Sequence, residues 1–166
     1  MPKLIVIRGN SASGKTTLAK RLQKAFGPNT LVLSQDIVRR NMLYVRDEVD
    51  TEAIKLLTTL VEYGFANNKI TILEGILNSE WYQALFEKAL ELYGQKNIHA
   101  YYYDLSFEET LSRHLTRNER LEFGEAELKR WWNRKDYIGF IKEEIFTEEI
   151  GIEEAVERIV LEVKSD

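Results

Sequence analysis

The stretch GNSASGKTT, Gly9 to Thr17, decides how the rest of the chain is read. It stands between KLIVIR (Lys3–Arg8) and LAKRLQKAF (Leu18–Phe26). The first flank is a continuous run rich in β-branched residues, which predicts a buried strand. The second, read from Thr16 to Phe26, puts Leu18, Leu22, Ala25 and Phe26 on one face of a helix. A strand, a loop of small residues and a helix carrying Gly9-x4-Gly14-Lys15-Thr16 form the pattern of a phosphate-binding loop. Small residues let the backbone curl so that its N–H groups face an anion, and the helix N-terminus presents partial positive charge to it.

From this pattern Gly9, Asn10, Ser11, Ala12, Ser13 and Gly14 are expected to wrap the phosphates of a nucleoside triphosphate. Lys15 is expected to reach the β- and γ-phosphates, and the Thr16 hydroxyl to ligate Mg2+. Thr17 is a candidate for an α-phosphate oxygen. The cofactor expectation is therefore ATP with Mg2+.

Working outward, Gly27-Pro28-Asn29 ends the first helix. Strands are expected at Thr30–Ser34, Lys69–Glu74 and Asn97–Asp104, with a short fifth at 144–147. Helices are expected from Asp36 to Tyr44, from a cap at Asp50 or Thr51, and over Asn78–Tyr93. Further helices are expected after the capping-box pattern Ser106-Phe-Glu-Glu109, and over Glu125–Lys135 and Ile152–Val163. Strands alternating with helices at this spacing predict an α/β, three-layer α/β/α arrangement around a parallel sheet of about five strands. No repeat or linker divides the 166 residues, so one domain over 1–166 is expected.

Composition narrows the function classes. Apolar residues are 44 % and charged residues 30 %, and there is no cysteine, so neither disulfides nor thiolate metal sites are available. The apolar run Leu4–Ile7 is too short for a signal-peptide core or a membrane span, so a cytoplasmic, membrane-independent protein is expected. A net charge of −4 and a pI near 5.4 argue against a surface that coats long nucleic acid. A GTP-binding switch needs an Asn-Lys-x-Asp element, and none occurs. A motor or AAA-type ATPase usually needs a longer chain and a strand ending in Asp-Glu; the candidate strand here reads TILEGIL. A small kinase remains.

A kinase needs a group to take the acceptor's hydroxyl proton. In LSQDIVRR, Asp36 stands just past the second strand, at the carboxyl edge where ligands sit in open α/β sheets. Arg39 lies three residues on, so the pair can hold a hydroxyl and a nearby anion. The competing reading is that Asp36 only caps the next helix, paired with Arg39 or Arg40. Arg113, Arg117 and Arg120, at i, i+4 and i+7, would form one helical stripe able to close over the phosphates. Residues 112–136, with seven basic and five acidic side chains, are the expected lid, and Arg117 and Arg120 its catalytic contacts. The competing reading is a solvated face paired with Glu109, Glu119 or Glu122. Glu74 either meets substrate or a metal-bound water, or faces solvent at a strand end. Trp81, Tyr82, Trp131 and Trp132 are core residues unless they stack on a base or sugar. His99 reads as a packed histidine, and His114 has no evident partner.

The order of P-loop, strand and Asp36-x-x-Arg39 resembles the small P-loop kinases grouped around polynucleotide 5′-kinases, zeta toxins and chloramphenicol phosphotransferases. The resemblance implies that Asp36 is the general base and that Arg39 binds the acceptor's phosphate where there is one. TLSRHLTRNERLEFG resembles the group's helical lid, with Arg117-Asn-x-x-Arg120 similar to that of phage-type polynucleotide kinase. Leu73-Glu74-Gly75 is similar to the zeta-toxin strand whose acidic residue lies near substrate and metal. The expected protein is a monomeric ATP-dependent kinase acting on a hydroxyl of a small molecule such as a nucleoside, nucleotide sugar or antibiotic. A 5′-hydroxyl polynucleotide end is the alternative acceptor. A nucleotide-binding switch or regulatory module without transfer is the alternative of another class.

Overall fold

All seven residues of β1 (Lys3–Gly9) are buried, so this strand has to lie inside a sheet covered on both faces. The computed structural model describes residues 1–165, except the side chains of Glu119 and Arg120. After β1 come α1 (Lys15–Phe26), β2 (Leu31–Ser34), a π-helical turn over Ile37–Leu43, α2 (Glu52–Ala66) and β3 (Ile70–Gly75). Then follow α3 (Gln83–Tyr93), β4 (Ile98–Tyr103), α4 (Phe107–Leu115), α5 (Glu125–Trp131), β5 (Glu143–Phe146) and α6 (Ile152–Ser165). The strands form one sheet in the order β2-β3-β1-β4-β5, every neighbour parallel.

Alternation along β1 feeds two cores. Leu4 and Val6 face one side, packed with Leu57, Val61, Leu85 and Phe86 of α2 and α3. Ile5 and Ile7 face the other, with Leu18 and Leu22 of α1 and Ile159 of α6. This is the expected three-layer architecture. Register then sets the site, because Glu74 lies beside both Ile7 and Ser34, and Gly9 beside Tyr103, at the carboxyl edge. Among the described residues no helix is long and apolar enough to cross a membrane.

Three helical expectations shift. The Asn78–Tyr93 helix begins only at Gln83, because the Asn78 Oδ1 accepts from the N–H groups of Glu80 and Trp81 and builds a turn instead. The Glu125–Lys135 helix ends at Trp131, and Trp132 is already extended. The Arg113–Arg117–Arg120 stripe is not one helix. Helix α4 stops at Leu115, where the N–H and the hydroxyl of Thr116 both donate to the Arg113 carbonyl and tighten the chain away from α geometry. The backbone resumes as a short 3-10 turn over Asn118–Leu121.

Candidate active site

The Gly9–Thr17 loop closes on the sheet edge because its glycines permit it. A Cβ at Gly9 would stand 2.9 Å from the Cβ of Tyr103, so the loop could not leave β1 so close to β4. Gly14 has φ 99° and precedes α1 without a side-chain cap, which leaves the first N–H groups of the helix available to an anion. No acidic residue occupies the first turn of α1 to compete for them.

A cavity of about 530 Å3 opens over this loop, lined by Ser11, Ala12, Gly14, Lys15, Thr16 and Thr17. Lys15 is buried, and its Nζ donates to the Asn10 carbonyl (2.7 Å) and the Ser13 Oγ (3.1 Å). Burial lowers its pKa to about 8; Glu74 and Asp36 oppose that shift, while Arg117 and Arg8 add to it. A buried ammonium held this way is poised for a phosphate. The Asn10 and Ser13 side chains do not line the cavity. Asn10 instead clamps Asn133, donating to its carbonyl and accepting from its N–H, both at 2.7 Å. That pair fastens the segment after α5 to the phosphate loop.

Glu74 is 3 % exposed, which removes the solvent-facing reading. Its Oε1 accepts from the Thr16 Oγ1 at 3.2 Å, so it stands in the phosphate cavity. Thr16 and Glu74 form an oxygen-donor pair suited to a hard cation. Among the described residues no group of three or more His, Cys, Asp or Glu could hold a metal ion alone. The pair therefore fits Mg2+ carried in with phosphate oxygens, rather than a self-sufficient metal centre.

The segment between β4 and β5 covers the same cavity. Arg113 donates through Nη1 to the Ser13 carbonyl (2.9 Å) and through Nε to Glu109 (2.7 Å). Arg117 also lines the cavity. The Arg120 side chain lies outside the described residues. Sequence reasoning placed Arg113 on the stripe but not against the phosphate loop, since nothing local signals a contact with Ser13, 100 residues away. His114, without an evident partner in the sequence, bonds the Phe123 carbonyl at 2.7 Å and stacks on the Phe123 ring.

A second cavity of about 490 Å3 adjoins the first, and Ser11, Asp36 and Ile76 line both. Asp36 stands at the N-cap position of the π-helical turn but makes no side-chain cap bond, so the capping part of the competing reading does not hold while the pairing with Arg39 does. Its Oδ1 accepts from the Arg39 Nη2 at 3.0 Å, and the Arg40 Nε lies 3.9 Å away. The second cavity also takes in Arg46, Asp47, Trp81, Arg130 and Trp131. Tyr82 is a core residue; its hydroxyl donates to Asp47 (2.7 Å). Trp132 packs edge-on against Phe107.

The wall of this second cavity is fixed from behind. Gln35 accepts from the Leu77 N–H (2.9 Å) and donates to Asp47 (3.0 Å) and to the Tyr82 hydroxyl (2.8 Å). Burial raises the Asp47 carboxyl pKa. Leu77, fully buried at φ 46°, also offers its carbonyl to the Nε and Nη2 of Arg8. Arg8 is itself fully buried between the rings of Phe86 and Tyr102, each 5.4 Å away, and pairs with Asp136 (2.8 Å) and Glu143 (2.7 Å). Asp136 in turn accepts from Ser79. None of Gln35, Asp47, Arg8 or Asp136 carries a sequence motif.

Residues 4–136 match the model of a family described as an AAA domain. No curated protein sequence matches the chain. Among solved structures it resembles a gluconokinase from Sinorhizobium meliloti 1021, at 15 % identity and TM-score 0.68, covering 99 % of this chain and 93 % of that one. It also resembles the Mycobacterium tuberculosis APS kinase in complex with AMPPNP and APS, at 15 % identity, TM-score 0.67 and coverages of 98 % and 97 %. A Deinococcus radiodurans tunicamycin resistance protein aligns at 14 % identity, TM-score 0.64 and coverages of 98 % and 96 %. At such identities the likeness is one of fold.

Proposed function

We propose that this chain, which belongs to the family described as an AAA domain, is a kinase transferring the γ-phosphoryl group of ATP to a hydroxyl of a small-molecule acceptor, a reading supported by the site and by the likeness in fold to small kinases. The observation that carries the reading is the position of Asp36 on the shared wall of two adjoining cavities. One cavity has the loop, lysine and arginines of a triphosphate site. The other is of the size that takes a small ligand. A carboxylate between them is where a general base for in-line transfer belongs.

In this mechanism Asp36 accepts the proton of the acceptor hydroxyl. The acceptor oxygen forms a bond to the γ-phosphorus as the bond from that phosphorus to the β–γ bridging oxygen breaks, and ADP leaves. Arg39 and Arg40 hold Asp36 in place. Lys15 and the N–H groups at the start of α1 bind the β- and γ-phosphates, and Arg113 and Arg117 stabilise charge on the transferring group. Thr16 and Glu74 are the residues that would hold Mg2+, which neutralises phosphate charge when bound. We assign Arg120 to the same lid, over 112–136, by its place in the sequence. The likeness to the polynucleotide-kinase, zeta-toxin and chloramphenicol-phosphotransferase group rests on Asp36-x-x-Arg39 and on Glu74. A soluble monomer acting in the cytoplasm belongs to the same reading.

The test is label transfer from γ-labelled ATP to a panel of small hydroxyl compounds and 5′-hydroxyl oligonucleotides. Asp36→Asn is expected to retain ATP affinity and to lose about 10²-fold or more in rate, the range of general-base effects. A variant as active as the wild type would remove Asp36 from the chemistry. ATP hydrolysis without transfer to any acceptor, and indifferent to Asp36→Asn, would make the protein a nucleotide-binding switch instead.

A further inference from the structure

We infer that the acceptor is a small nucleotide: it carries a phosphate of its own, read by Arg46 and Arg130, and a flat heterocycle that packs on Trp81 and Trp131. This rests on the kinase reading above. Four guanidinium groups, those of Arg39, Arg40, Arg46 and Arg130, line the second cavity against two carboxylates, Asp36 and Asp47. Both carboxylates are engaged. Asp36 holds Arg39 at 3.0 Å, with Arg40 more distant at 3.9 Å. Asp47 accepts from the Tyr82 hydroxyl through one oxygen and from Gln35 through the other.

Arg46 and Arg130 form no salt bridge among the described residues, in a chain whose net charge is −4. The Arg39 Nε is buried and has no hydrogen-bond partner. The arginines converge from three separate segments: the π-helical turn, the loop that follows it, and the end of α5. Like charges gathered from distant parts of a chain around one cavity repel unless an anion joins them. Arginine forks match phosphate oxygens bidentately, which a neutral sugar cannot exploit.

The aromatic content gives the second half of the class. Trp81 and Trp131 line the same cavity, and Trp131 keeps 39 % of its surface exposed. Indole faces suit a planar base, and stacking is tolerant of which base it is. A cavity of about 490 Å3 is in the range of small-ligand sites, whereas a polynucleotide needs a track for further phosphates. The net charge of −4 disfavours such a track.

The test compares transfer from Mg·ATP to each common ribo- and deoxyribonucleoside monophosphate, the matching nucleosides, neutral sugars and 5′-hydroxyl oligonucleotides. Binding of the same compounds is read in parallel by tryptophan fluorescence. At least one nucleotide is expected to exceed its nucleoside by about 100-fold in kcat/KM. The Arg46→Gln/Arg130→Gln double variant is expected to raise the nucleotide KM about tenfold or more, with kcat and ATP affinity little changed. Trp131→Ala is expected to weaken nucleotide and nucleoside alike. Equal use of nucleotide and nucleoside, transfer to oligonucleotides alone, or a double variant with unchanged KM would overturn the inference while leaving the kinase reading intact. If nothing is phosphorylated, the kinase reading fails. Arginine-dependent binding of a mononucleotide over its nucleoside then still supports the anion site, and no such binding overturns it.

Discussion

The two cavities that meet at Asp36 are built in opposite ways. The floor of the phosphate cavity is local: nine consecutive residues supply its loop and α1 begins within that loop, while Glu74, Arg113 and Arg117 reach it from other segments. Its lysine is already bonded to the loop's own backbone. The second cavity is assembled from the π-helical turn and the following loop, the β3–α3 turn and the end of α5, and two of its four arginines, Arg46 and Arg130, form no salt bridge among the described residues. A site for an invariant triphosphate can be encoded in one motif, because phosphate geometry does not change between proteins. A site for a particular acceptor has to be composed by the tertiary fold.

The largest expected effect lies on the local side. Lys15→Ala should reduce transfer by on the order of 10³-fold, as loss of a preorganised donor to the transferring group does. Steady-state kinetics and nucleotide titration read it directly, and wild-type rates would break the comparison at its firmer end.

The next effect sharpens the nonlocal side. Arg8→Met leaves Asp136 and Glu143 without their buried cation and frees the Leu77 carbonyl. A loss of about 3–5 kcal/mol in folding stability is expected by chemical denaturation. Folded variant protein should lose acceptor KM before it loses ATP affinity, since Arg8 braces the β3–α3 turn. Equal damage to both would mean that the cavities are not supported independently.

The smallest effect is a pH dependence. Burial sets Lys15 near pH 8 in the free protein, and bound phosphates favour its charged form and raise that value. ATP affinity should therefore be level below pH 8 and fall above it, by up to about tenfold per pH unit, until the bound-state value is reached. Calorimetric titration between pH 7 and 10 checks this, and an affinity level throughout would contradict the buried-ammonium picture.

Legibility followed the difference between contiguous and distant residues, in both cavities. β1 and β3 were readable because buried parallel strands favour short β-branched runs, and the loop because its glycines and lysine fall within one short stretch. Asp36 was reachable from the sheet edge on which it had to stand. Arg113 against Ser13, the Asn10–Asn133 clamp and the convergence of Arg46 and Arg130 were not, since each joins segments far apart in sequence. The stripe of three arginines failed for a local reason that periodicity cannot see: Thr116 bonds back to Arg113 and ends the helix between them.

The most direct measurement of the central claim is a crystal structure with Mg2+ and a non-hydrolysable ATP analogue. The account predicts the γ-phosphate on Lys15 and Thr16, directed toward Asp36 on the wall that the two cavities share, with the second cavity otherwise empty. An analogue whose base and sugar fill the second cavity, or whose γ-phosphate points away from Asp36, would contradict it.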